Sequence, residues 1–540
     1  MANLSPSSDE LAFPVLDVSQ IAKLRPFGTT QKTHADEVLI EMGDHIPGLF
    51  VVLEGQTMIV DRANDDRVIK TSGPGEFNGE LGILTGQRAF VACVAVTPGT
   101  LLFVPSAKVP EIIADIPELS YILVAAFAAR RQLLMHSMVA ALTIIGPEND
   151  SKVLKLLEFA ERNRIPYRWL DPGDPHDAPS IATCGSPAGA AFRIVLGKRR
   201  VLDCPTPQQL ARAIGLDLDV KEDRICDLIV VGAGPAGLAA AVYGASEGLS
   251  TIVVEDTAIG GQAGTSSRIE NYVGFPSGIS GNDLAFRAEV QALKFGARLT
   301  VPRRAAALEK RQDNYAVQLD EEGALLGRSV VIATGARYRR LDLAGQDVFA
   351  GAIYYAATDL EARRCREQEV AVIGGANSAG QAAMFLSRYA SRVRLLCRSA
   401  DLRIKMSQYL VDRLEHTPNV EIYLNTEAIQ LHGRGALESI TITDHATGRS
   451  KDVAAHGVFV MIGADPCTEW LKGAVALDDK GFVRAGEGDD MPFAASHAGL
   501  FAVGDVRSGS VKRIASAVGE GSVVIQAVHR YLAVRQACRT

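Results

Sequence analysis

A glycine triplet in the middle of the chain is placed to bind a dinucleotide. The apolar, β-rich run Leu228–Val231 leads into the sequence GAGPAG, whose glycines are Gly232, Gly234 and Gly237. In a strand–turn–helix unit the first glycine allows the tight turn, the second lets the backbone approach a pyrophosphate, and the third lets the helix pack on the strand. The next strand, TIVVE, ends in Glu255, a carboxylate placed to accept hydrogen bonds from a ribose diol.

A variant of this unit, EVAVIGGANSAGQAA, follows about 140 residues later. Gly374 and Gly375 open it, whereas Ala376 and Ala379 stand in the positions of the middle and last glycines. A methyl group at Ala376 narrows the space for a pyrophosphate without closing it. The unit predicts a second dinucleotide site, with Ser378 among the residues at the start of its helix.

The charge after the second strand of this unit favours NADPH over NADH. The strand RVRLLCRS ends without an acid, and Arg398 occupies that neighbourhood, with Arg403 shortly after. A carboxylate there would repel a 2′-phosphate, whereas an arginine would bind it. The alternative is that both arginines are ordinary surface residues of a loop.

The composition of the chain limits its partners. The chain has 540 residues, a formal net charge of −7 and a pI of about 5.9, so no basic excess exists to neutralise nucleic-acid phosphates. The start MANLSPSSDE has neither the positive nor the apolar region of a signal peptide, and the run YILVAAFAA is far shorter than the ~18 residues of a membrane span. We therefore expect a cytoplasmic protein without a nucleic-acid partner and without a membrane span.

The spacing of the cysteines excludes a redox pair that is local in sequence. None of the eight lies within four positions of another, so no C-x-x-C and no zinc ribbon occurs. We expect scattered, reduced and mostly buried thiols. Cys538, close to the end of the sequence, is the thiol whose position suggests reactivity. The ten histidines show no metal-ligand spacing, so no metal site is predicted.

Three segments of different pattern must position these residues. Residues 1–145 start with short alternating strands and continue with a helical pattern from Pro117, which predicts a small β-barrel followed by a long helix. Residues 146–218 predict a small α/β domain in which the Pro/Gly-rich stretch DPGDPHDAPSIATCGSPAG is a loop. Residues 219–540 alternate strands and helices, which predicts parallel sheets with crossover helices and a multidomain α/β protein.

Further motifs give residues 225–540 a specific resemblance. VVIATGARYR, GGQAG, IENYVGFP, VMIGADPCTEWL and GLFAVGDVRSGSVKRIASAVGEG complete the pattern, and the region resembles the low-molecular-weight thioredoxin reductase family. The resemblance implies two Rossmann-like nucleotide-binding domains, an FAD part over 225–338 and 463–540 and an NADPH part over 339–462. It also implies a homodimer that pairs through its FAD parts.

The resemblance assigns residues to each cofactor. Gln262 and Asn271 would lie along the flavin, Asp505 would bond the ribityl chain, and Arg513 and Ile514 would lie near the flavin ring. The residues implied for FAD are Gly232, Gly234, Gly237, Glu255, Gln262, Asn271, Gly504, Asp505, Arg513 and Ile514. The residues implied for NADPH are Gly374, Gly375, Ser378, Ala379, Arg398 and Arg403.

The reactive dithiol of that family is missing from this sequence. Its cysteine pair would fall on Tyr355 and Thr358 of the stretch YYAATD. A tyrosine and a threonine form no mixed disulfide with thioredoxin and take no electrons from a flavin as a dithiol. Reduction of a flavin by NADPH needs only the two nucleotide sites, and a flavin also reduces a quinone, oxygen or a redox protein directly. The sequence therefore assigns no catalytic side chain.

The first segment resembles the cyclic-nucleotide-binding fold. GDHIPGLFVVLEGQTMIV and GPGEFNGELGILTGQRAF carry this resemblance. It implies that Gly79 and Glu80 start a short helix facing the phosphate and ribose of cyclic AMP or cyclic GMP, and that Arg88 pairs with the phosphate. The spacing from Gly79 to Arg88 is one residue short of the pattern, and Gln87 replaces its proline. The alternative is a barrel without a ligand that dimerises through its long helix.

The middle segment resembles a thioredoxin/glutaredoxin-like domain. The dithiol of such a domain would belong near IGPENDSK, which contains no cysteine. The resemblance therefore implies a domain without redox chemistry, in a docking or spacer role.

Together these features predict an FAD-dependent oxidoreductase. It would take hydride from NADPH and pass electrons from the flavin to an unidentified acceptor, with regulation by a cyclic nucleotide as a further hypothesis. Two rivals stand beside this prediction. One keeps thioredoxin-disulfide reductase activity through non-adjacent cysteines such as Cys538, and the other is a non-catalytic sensor in which bound nucleotides fix a conformation.

Overall fold

The computed structural model places three regions in chain order: an N-terminal domain, a middle domain and a C-terminal part of two domains. We call these two the FAD domain and the NADPH domain, and together the reductase part, after what the sequence resemblance implies. The residues that the structure describes are 8–62, 66–136, 142–184, 190–197, 200–216, 225–266, 268–320, 323–339, 341, 343–346, 348–355, 357, 359–486 and 491–537. Among the helices of these ranges, none has the length and the apolar character that crossing a bilayer requires.

The N-terminal domain consists of two antiparallel sheets, with helices before and after the strands and one short helix between the sixth and seventh strands. Its strands are β1 (Thr29–Thr33), β2 (Val38–Ile40), β3 (Gly48–Glu54), β4 (Thr57–Asp61), β5 (Arg67–Ser72), β6 (Phe77–Asn78), β7 (Ala92–Ala95) and β8 (Gly99–Pro105). Its helices are α1 (Ser8–Ala12), α2 (Val18–Leu24), α3 (Gly82–Thr85), α4 (Val109–Asp115) and α5 (Pro117–His136). The strand orders are β1-β8-β3-β6 and β2-β7-β4-β5, and α5 buries Leu123 and Phe127 in the core of the domain.

The middle domain has a mixed sheet covered by helices. Its elements are β9 (Leu142–Ile145), α6 (Ser151–Arg162), β10 (Tyr167–Leu170), α7 (Ala178–Cys184), β11 (Arg193–Leu196), β12 (Arg200–Asp203) and α8 (Pro207–Ile214). The strand order is β10-β9-β11-β12, with β9 and β10 parallel. Asp150 caps α6 by accepting hydrogen bonds from the backbone N–H groups of Lys152 and Val153. The apolar face of α6 is buried on the sheet.

Two expectations for the middle domain differ from the structure. The stretch predicted to be a loop contains α7, because Pro179 stands in the first helical turn, where its missing N–H is no loss, and Ile181 is buried in the core of the domain. The predicted boundary between 145 and 146 is also displaced. Strand β9 pairs with β10 and β11, so the middle domain includes residues from Leu142 onward.

The FAD domain starts with a parallel sheet and a short antiparallel extension. Its first elements are β13 (Ile225–Val231), α9 (Pro235–Ser246), β14 (Thr251–Val254), α10 (Gly261–Gly264), α11 (Gly281–Lys294), β15 (Arg298–Thr300), β16 (Ala305–Arg311), β17 (Asn314–Leu319), β18 (Ala324–Ile332) and β19 (Ala336–Tyr338). Strand β13 is almost continuously apolar because it lies between β14 and β18, with both faces covered.

The NADPH domain is inserted between two parts of the FAD domain. Its elements are β20 (Ile353–Tyr354), α12 (Asp359–Arg364), β21 (Glu369–Ile373), α13 (Asn377–Leu386), β22 (Arg392–Leu396), α14 (Gln408–Glu415), β23 (Val420–Tyr423), β24 (Thr426–His432), β25 (Ser439–Asp444), β26 (Arg449–Ala454) and β27 (Gly457–Val460). A parallel sheet has the order β20-β27-β21-β22-β23, and an antiparallel sheet has the order β24-β25-β26.

The chain then returns to the FAD domain through β28 (Ala464–Pro466), β29 (Leu500–Ala502) and α15 (Ile514–Ala537). Strand β28 pairs with β19, so the two crossings between the domains form one short ribbon. Strand β29 joins the FAD sheet beside β18. Helix α15 packs closely on α9, since a Cβ added at Gly521 would lie 2.2 Å from the carbonyl oxygen of Ala236.

Candidate active site

One cleft brings together predicted residues from both nucleotide units. Its volume is about 820 Å³, within the range of cofactor sites, and it lies beyond the carboxyl ends of β13 and β18. The predicted residues that line it are Gly232, Gly234, Glu255, Gln262, Asn271, Ser378, Gly504, Asp505, Arg513 and Ile514.

The glycines of the first unit have different structural reasons to be glycine. Gly232 has φ +105°, and a Cβ there would lie 2.3 Å from the carbonyl oxygen of Ala333. A Cβ at Gly237 would lie 1.8 Å from the carbonyl oxygen of Gly232, so this position packs the helix on the turn and does not line the cleft. Gly234 has an ordinary φ of −70°, and a Cβ there would meet no protein atom within 4 Å. The bare backbone of Gly234 therefore faces the open cleft.

Glu255 lies at the end of β14 and is nearly buried. Its carboxylate accepts hydrogen bonds from the backbone N–H groups of Ala233 at 2.7 Å and Thr257 at 3.1 Å. Burial and the neighbouring charge of Asp256 raise the pKa of Glu255 to about 7, against the opposing effect of these two donors. The carboxylate is thus held in place by the backbone, at the cleft wall that a ribose would contact.

Another part of the cleft wall is formed by the turn after β29 and the start of α15. Gly504 has φ +74°, and its N–H donates to the carboxylate of Glu520 at 2.7 Å. Burial raises the pKa of Asp505, and Lys512 opposes that rise. Lys512 and Arg513 line the cleft directly before α15, at the helix end with partial positive charge. Two cations and the start of a helix therefore lie beside the Asp505 carboxylate in this wall.

The second unit presents the start of its helix to the same cleft. Asn377, Ser378 and Gln381 of α13 line it, together with Ser407. The side-chain oxygen of Asn377 accepts a hydrogen bond from the Ser407 N–H at 2.7 Å, which fixes the start of α13. The two nucleotide units therefore share one cavity.

The other residues of this unit form the turn behind the helix start. A Cβ at Gly374, which has φ +152°, would lie 2.4 Å from the carbonyl oxygen of Met461. A Cβ at Gly375 would lie 2.5 Å from the sulfur of Cys397. Ala379 is fully buried. Gly374, Gly375 and Ala379 thus shape the turn and are not among the residues that line the cleft.

Arg398 and Arg403 lie on the surface after β22, outside the cleft lining. Arg398 has 72% of its side chain exposed and lies 3.6 Å from Glu427. Arg403 forms ion pairs with Glu415 at 3.0 Å and Asp401 at 3.6 Å. A 2′-phosphate would therefore have to compete with carboxylates for both guanidinium groups.

Tyr354 and Tyr355, at the start of the stretch that replaces the dithiol, pack inside the NADPH domain. The Tyr355 hydroxyl accepts a hydrogen bond from the Leu341 N–H at 3.3 Å, and the Tyr354 ring lies 4.9 Å from the ring of Phe459. Thr358 lies outside the described residues. Tyr354 and Tyr355 do not line the cleft, whereas the start of α13 does.

The structure adds cleft residues that the sequence did not predict. Cys467 lines the cleft, and burial raises the pKa of its thiol to about 11, so the thiol is protonated at neutral pH. Its position in the motif VMIGADPCTEWL, which returns the chain to the FAD domain, was the available signal. Glu158 and Arg162 of the middle domain also line the cleft, and nothing in the sequence near them indicates this. Cys538 lies outside the described residues.

In the N-terminal domain, the residues implied for a cyclic nucleotide contact other protein groups. The Glu80 carboxylate accepts hydrogen bonds from Arg131 of α5 at 2.8 Å and from the Gly82 N–H at 3.0 Å. The Arg88 guanidinium donates to the carbonyl oxygen of Gly43 at 3.1 Å. The carbonyl oxygen of Gly79 accepts a hydrogen bond from the guanidinium of Arg130, a buried residue of α5.

The comparisons with known proteins agree with this architecture. Residues 226–521 match the pyridine nucleotide-disulphide oxidoreductase family, and residues 30–115 match the cyclic nucleotide-binding domain. The thioredoxin reductase of Streptomyces clavuligerus is 33% identical over 310 residues, which are 57% of this chain and 94% of that protein. The NADPH-dependent thioredoxin reductase 3 of Arabidopsis thaliana is also 33% identical, but the match spans 57% of this chain and only 58% of that protein.

Solved structures give the same result for the reductase part. Thioredoxin reductase from Lactococcus lactis, in its FR conformation, is 26% identical with a TM-score of 0.54 and covers 57% of this chain and 99% of its own. The enzyme from T. acidophilum is 28% identical with a TM-score of 0.54 and the same coverage.

The cleft has the features that a bound dinucleotide requires. The bare backbone of Gly234 at the start of α9 fits a pyrophosphate, and the fixed carboxylate of Glu255 fits a ribose. Lys512 and Arg513 add positive charge elsewhere in the cleft. Fold and cleft thus define a flavoprotein oxidoreductase with a second nucleotide-binding domain. The chain belongs to the pyridine nucleotide-disulphide oxidoreductase family, and is an NAD(P)H-dependent flavoprotein of thioredoxin reductase type preceded by a cyclic nucleotide-binding domain.

Proposed function

We propose that this protein oxidises NADPH and passes the electrons from FAD directly to an acceptor, without a dithiol. The observation that carries the proposal is the shared cleft. The start of α13 opens into the cavity that holds the FAD residues, whereas Tyr354, Tyr355 and Ala357, the residues that the structure describes in 354–358, do not line it. FAD supplies the ring that accepts a hydride from the nicotinamide and releases electrons to a second substrate.

The residues of the chain bind and orient the two nucleotides in this proposal. Glu255 accepts from the ribose of FAD, the start of α9 and Gly234 take its pyrophosphate, and Asp505 takes its ribityl chain. Ser378 and the start of α13 take the NADPH pyrophosphate, with Arg398 and Arg403 selecting its 2′-phosphate. An ion pair between Arg413 of α14 and Glu270 joins the NADPH domain to the FAD domain and supports this arrangement.

We further propose that the N-terminal domain regulates the flavin site. Helix α11 of the FAD domain packs on α3, α4 and α5, and its Phe286 and Val290 share a core with the N-terminal domain. Burial raises the pKa of Glu289 on α11, and the positive charges of Arg131, which also binds Glu80, and of Arg164 oppose that rise. At its start, α11 contacts the turn α10, since a Cβ at Gly281 would lie 1.8 Å from the carbonyl oxygen of Ala263.

Regulation by cyclic AMP or cyclic GMP makes a specific demand on this link. The nucleotide must displace Arg131 from Glu80, and Arg88 from the carbonyl oxygen of Gly43. Movement of Arg131 away from Glu80 would then also change one of the two positive charges that act on Glu289. The homodimer and the cytoplasmic location expected from the sequence stay predictions.

An anaerobic titration of the purified, FAD-loaded protein with NADPH tests the proposal. We expect rapid bleaching of the flavin absorbance by one equivalent of NADPH and slower bleaching by NADH. Reoxidation by a quinone or by oxygen should proceed, while oxidised thioredoxin should have no effect. Absence of bleaching with FAD bound would refute the reductase proposal, and reoxidation by thioredoxin would refute the direct exit of electrons. The same titration with cyclic AMP or cyclic GMP tests the regulation.

A further inference from the structure

We propose that the middle domain forms part of the FAD site, with Arg162 closing the end of the cleft that takes the adenosine half of the cofactor. The reductase part alone matches 94% of the Streptomyces clavuligerus thioredoxin reductase, which leaves no room in that relative for a counterpart of the middle domain. The proposal rests on FAD as the cofactor and is independent of the acceptor, of NADPH and of the cyclic nucleotide.

Arg162 stands in the cleft beside the residues of the ribose end. Glu158 and Arg162, one turn apart on α6, line the same cavity as Glu255, Asp256 and Thr257. The Arg162 guanidinium donates to the carbonyl oxygen of Gly261 at 3.2 Å and to the carboxylate of Glu158 at 3.2 Å. The guanidinium is therefore held at the cleft wall by one contact from each domain.

The two residues after Arg162 fix this end of α6 on the FAD domain. The side-chain amide of Asn163 donates to the carbonyl oxygen of Thr257 at 3.2 Å. The guanidinium of Arg164 donates to Asp283 at 2.8 Å and lies 4.3 Å from the centre of the Phe286 ring. These contacts make residues 162–164 a docking segment of consecutive side chains.

The backbone of the docking segment is strained. Arg164 has φ +52°, in the left-handed region that a residue with a long side chain rarely adopts, and its side chain is buried. Such a conformation is unfavourable for a residue with a Cβ and persists only where surrounding contacts fix it. Here the contacts with Asp283 and Phe286 fix it. At this strained turn, Arg162, Asn163 and Arg164 all contact the FAD domain.

The charges at this end of the cleft explain what Arg162 contributes. Glu255 and Asp256 are adjacent carboxylates, and a cofactor with two phosphates brings further negative charge. Arg303 and Arg304 line the cleft from the FAD domain, and Arg162 adds a cation from the opposite, middle-domain side. A forked guanidinium can donate to ribose and adenine acceptors while it keeps its bond to the Gly261 carbonyl.

Titration of the flavin-free full-length protein with FAD, followed by flavin fluorescence, tests this proposal. Arg162→Ala should raise the Kd for FAD about tenfold, equal to ~1.4 kcal/mol. Lys155→Ala removes the same charge from an exposed position of the same helix and should leave the Kd unchanged. Arg162→Lys keeps the charge without the fork and should raise the Kd about threefold, on the order of half the free energy.

FMN distinguishes a local effect from damage to the fold. FMN has no adenosine, so its Kd should be equal in wild type, Arg162→Ala and Lys155→Ala. Equal FAD affinity in Arg162→Ala and Lys155→Ala would overturn the proposal, and so would an equal loss of FAD and FMN binding. If FMN binds too weakly to measure, the FAD comparison with Lys155→Ala decides. If wild type binds no FAD at all, the flavoprotein assignment itself fails, which is a separate outcome.

Discussion

Alanine substitutions at Gly234 and Gly237 should separate cofactor binding from folding. The two glycines lie three positions apart at the start of α9, and each substitution adds one methyl group. A Cβ at Gly237 would lie 1.8 Å from the carbonyl oxygen of Gly232, whereas a Cβ at Gly234 would have no protein atom within 4 Å. Gly237→Ala should therefore lower the stability of the fold, whereas Gly234→Ala should weaken the binding of FAD.

The expected magnitudes follow from these contacts. At Gly237 the backbone must move by more than 1 Å, and overpacking of this kind costs about 3 kcal/mol, which lowers the unfolding temperature of a unit of this size by ~6–12 °C. At Gly234 the φ of −70° suits alanine. Alanine reduces the conformational entropy of the unfolded chain, which stabilises the folded protein, but it is a poorer N-cap than glycine, which destabilises it. Because the two effects oppose each other, the free energy of unfolding should change by less than ~1 kcal/mol. The methyl group lies where the pyrophosphate approaches, and the Kd for FAD should rise at least ~30-fold, or ~2 kcal/mol.

The assay compares both variants with wild type in two measurements. Thermal unfolding of the flavin-free proteins, followed by circular dichroism, reports the fold, and titration with FAD reports the cofactor. We expect Gly234→Ala to unfold like wild type and bind FAD weakly. A flavin-free Gly234→Ala that unfolds as early as Gly237→Ala would refute the assignment of open space at Gly234. Wild-type FAD affinity in Gly234→Ala would refute the placement of the pyrophosphate.

Three further predictions concern charged or sulfur groups. The raised pKa of Glu255, about 7 against an ordinary 4.5, means that this group stabilises the flavin-free protein below pH ~4.5 and that the stabilisation is lost as the pH rises through 7. Binding of FAD requires the ionised carboxylate of Glu255, which lies between Asp256 and Arg162. The Kd for FAD should therefore rise by up to ~10-fold per pH unit below pH 7, and Glu255→Gln should remove this pH dependence. Cys467→Ser should leave the rate of flavin reduction by NADPH unchanged in stopped-flow traces, because the pKa of about 11 keeps the Cys467 thiol protonated. Loss of a disulfide reductase activity in this variant would instead support the alternative that depends on non-adjacent cysteines. Arg131→Met should lower the free energy of unfolding of the N-terminal domain by about 3 kcal/mol, measured by denaturant unfolding, because it leaves the Glu80 carboxylate partly buried without its cation; a loss below ~0.5 kcal/mol would contradict this.

The part of the site that is local in sequence could be predicted from the sequence. Gly232, Gly234 and Glu255 belong to one strand–turn–helix–strand unit, in which spacing fixes geometry within about 30 residues. The same holds for the turn at Gly374. Arg398 lies after the expected strand, but its exposure and its distance from Glu427 depend on packing that no motif encodes.

The part that depends on contacts between domains could not be predicted. The motif around Arg162 has the pattern of an ordinary amphipathic helix that ends in polar residues. Its place in the cleft follows from the docking of α6 on the FAD domain. The Pro/Gly-rich stretch was misleading for a related reason, because one buried side chain, Ile181, outweighs the poor helix propensity of its neighbours in α7.

The docking segment also bears on the role of the upstream domains. A spacer needs an interface, but it does not need a strained residue such as Arg164 or a charged side chain inside a cofactor cleft. Helix α11 receives Arg164 at Asp283 and Phe286, and the same helix packs on the N-terminal domain through Phe286 and Val290. Both upstream domains therefore contact the same helix of the FAD domain, and the middle domain also contacts Thr257 and Gly261 directly. A change in the N-terminal domain that moved α11 would displace Asp283 and therefore Arg164. Because Arg162 belongs to the same docking segment, its position at the adenosine end of the cleft would change as well. An effector that never enters the cleft would in this way change the affinity for FAD.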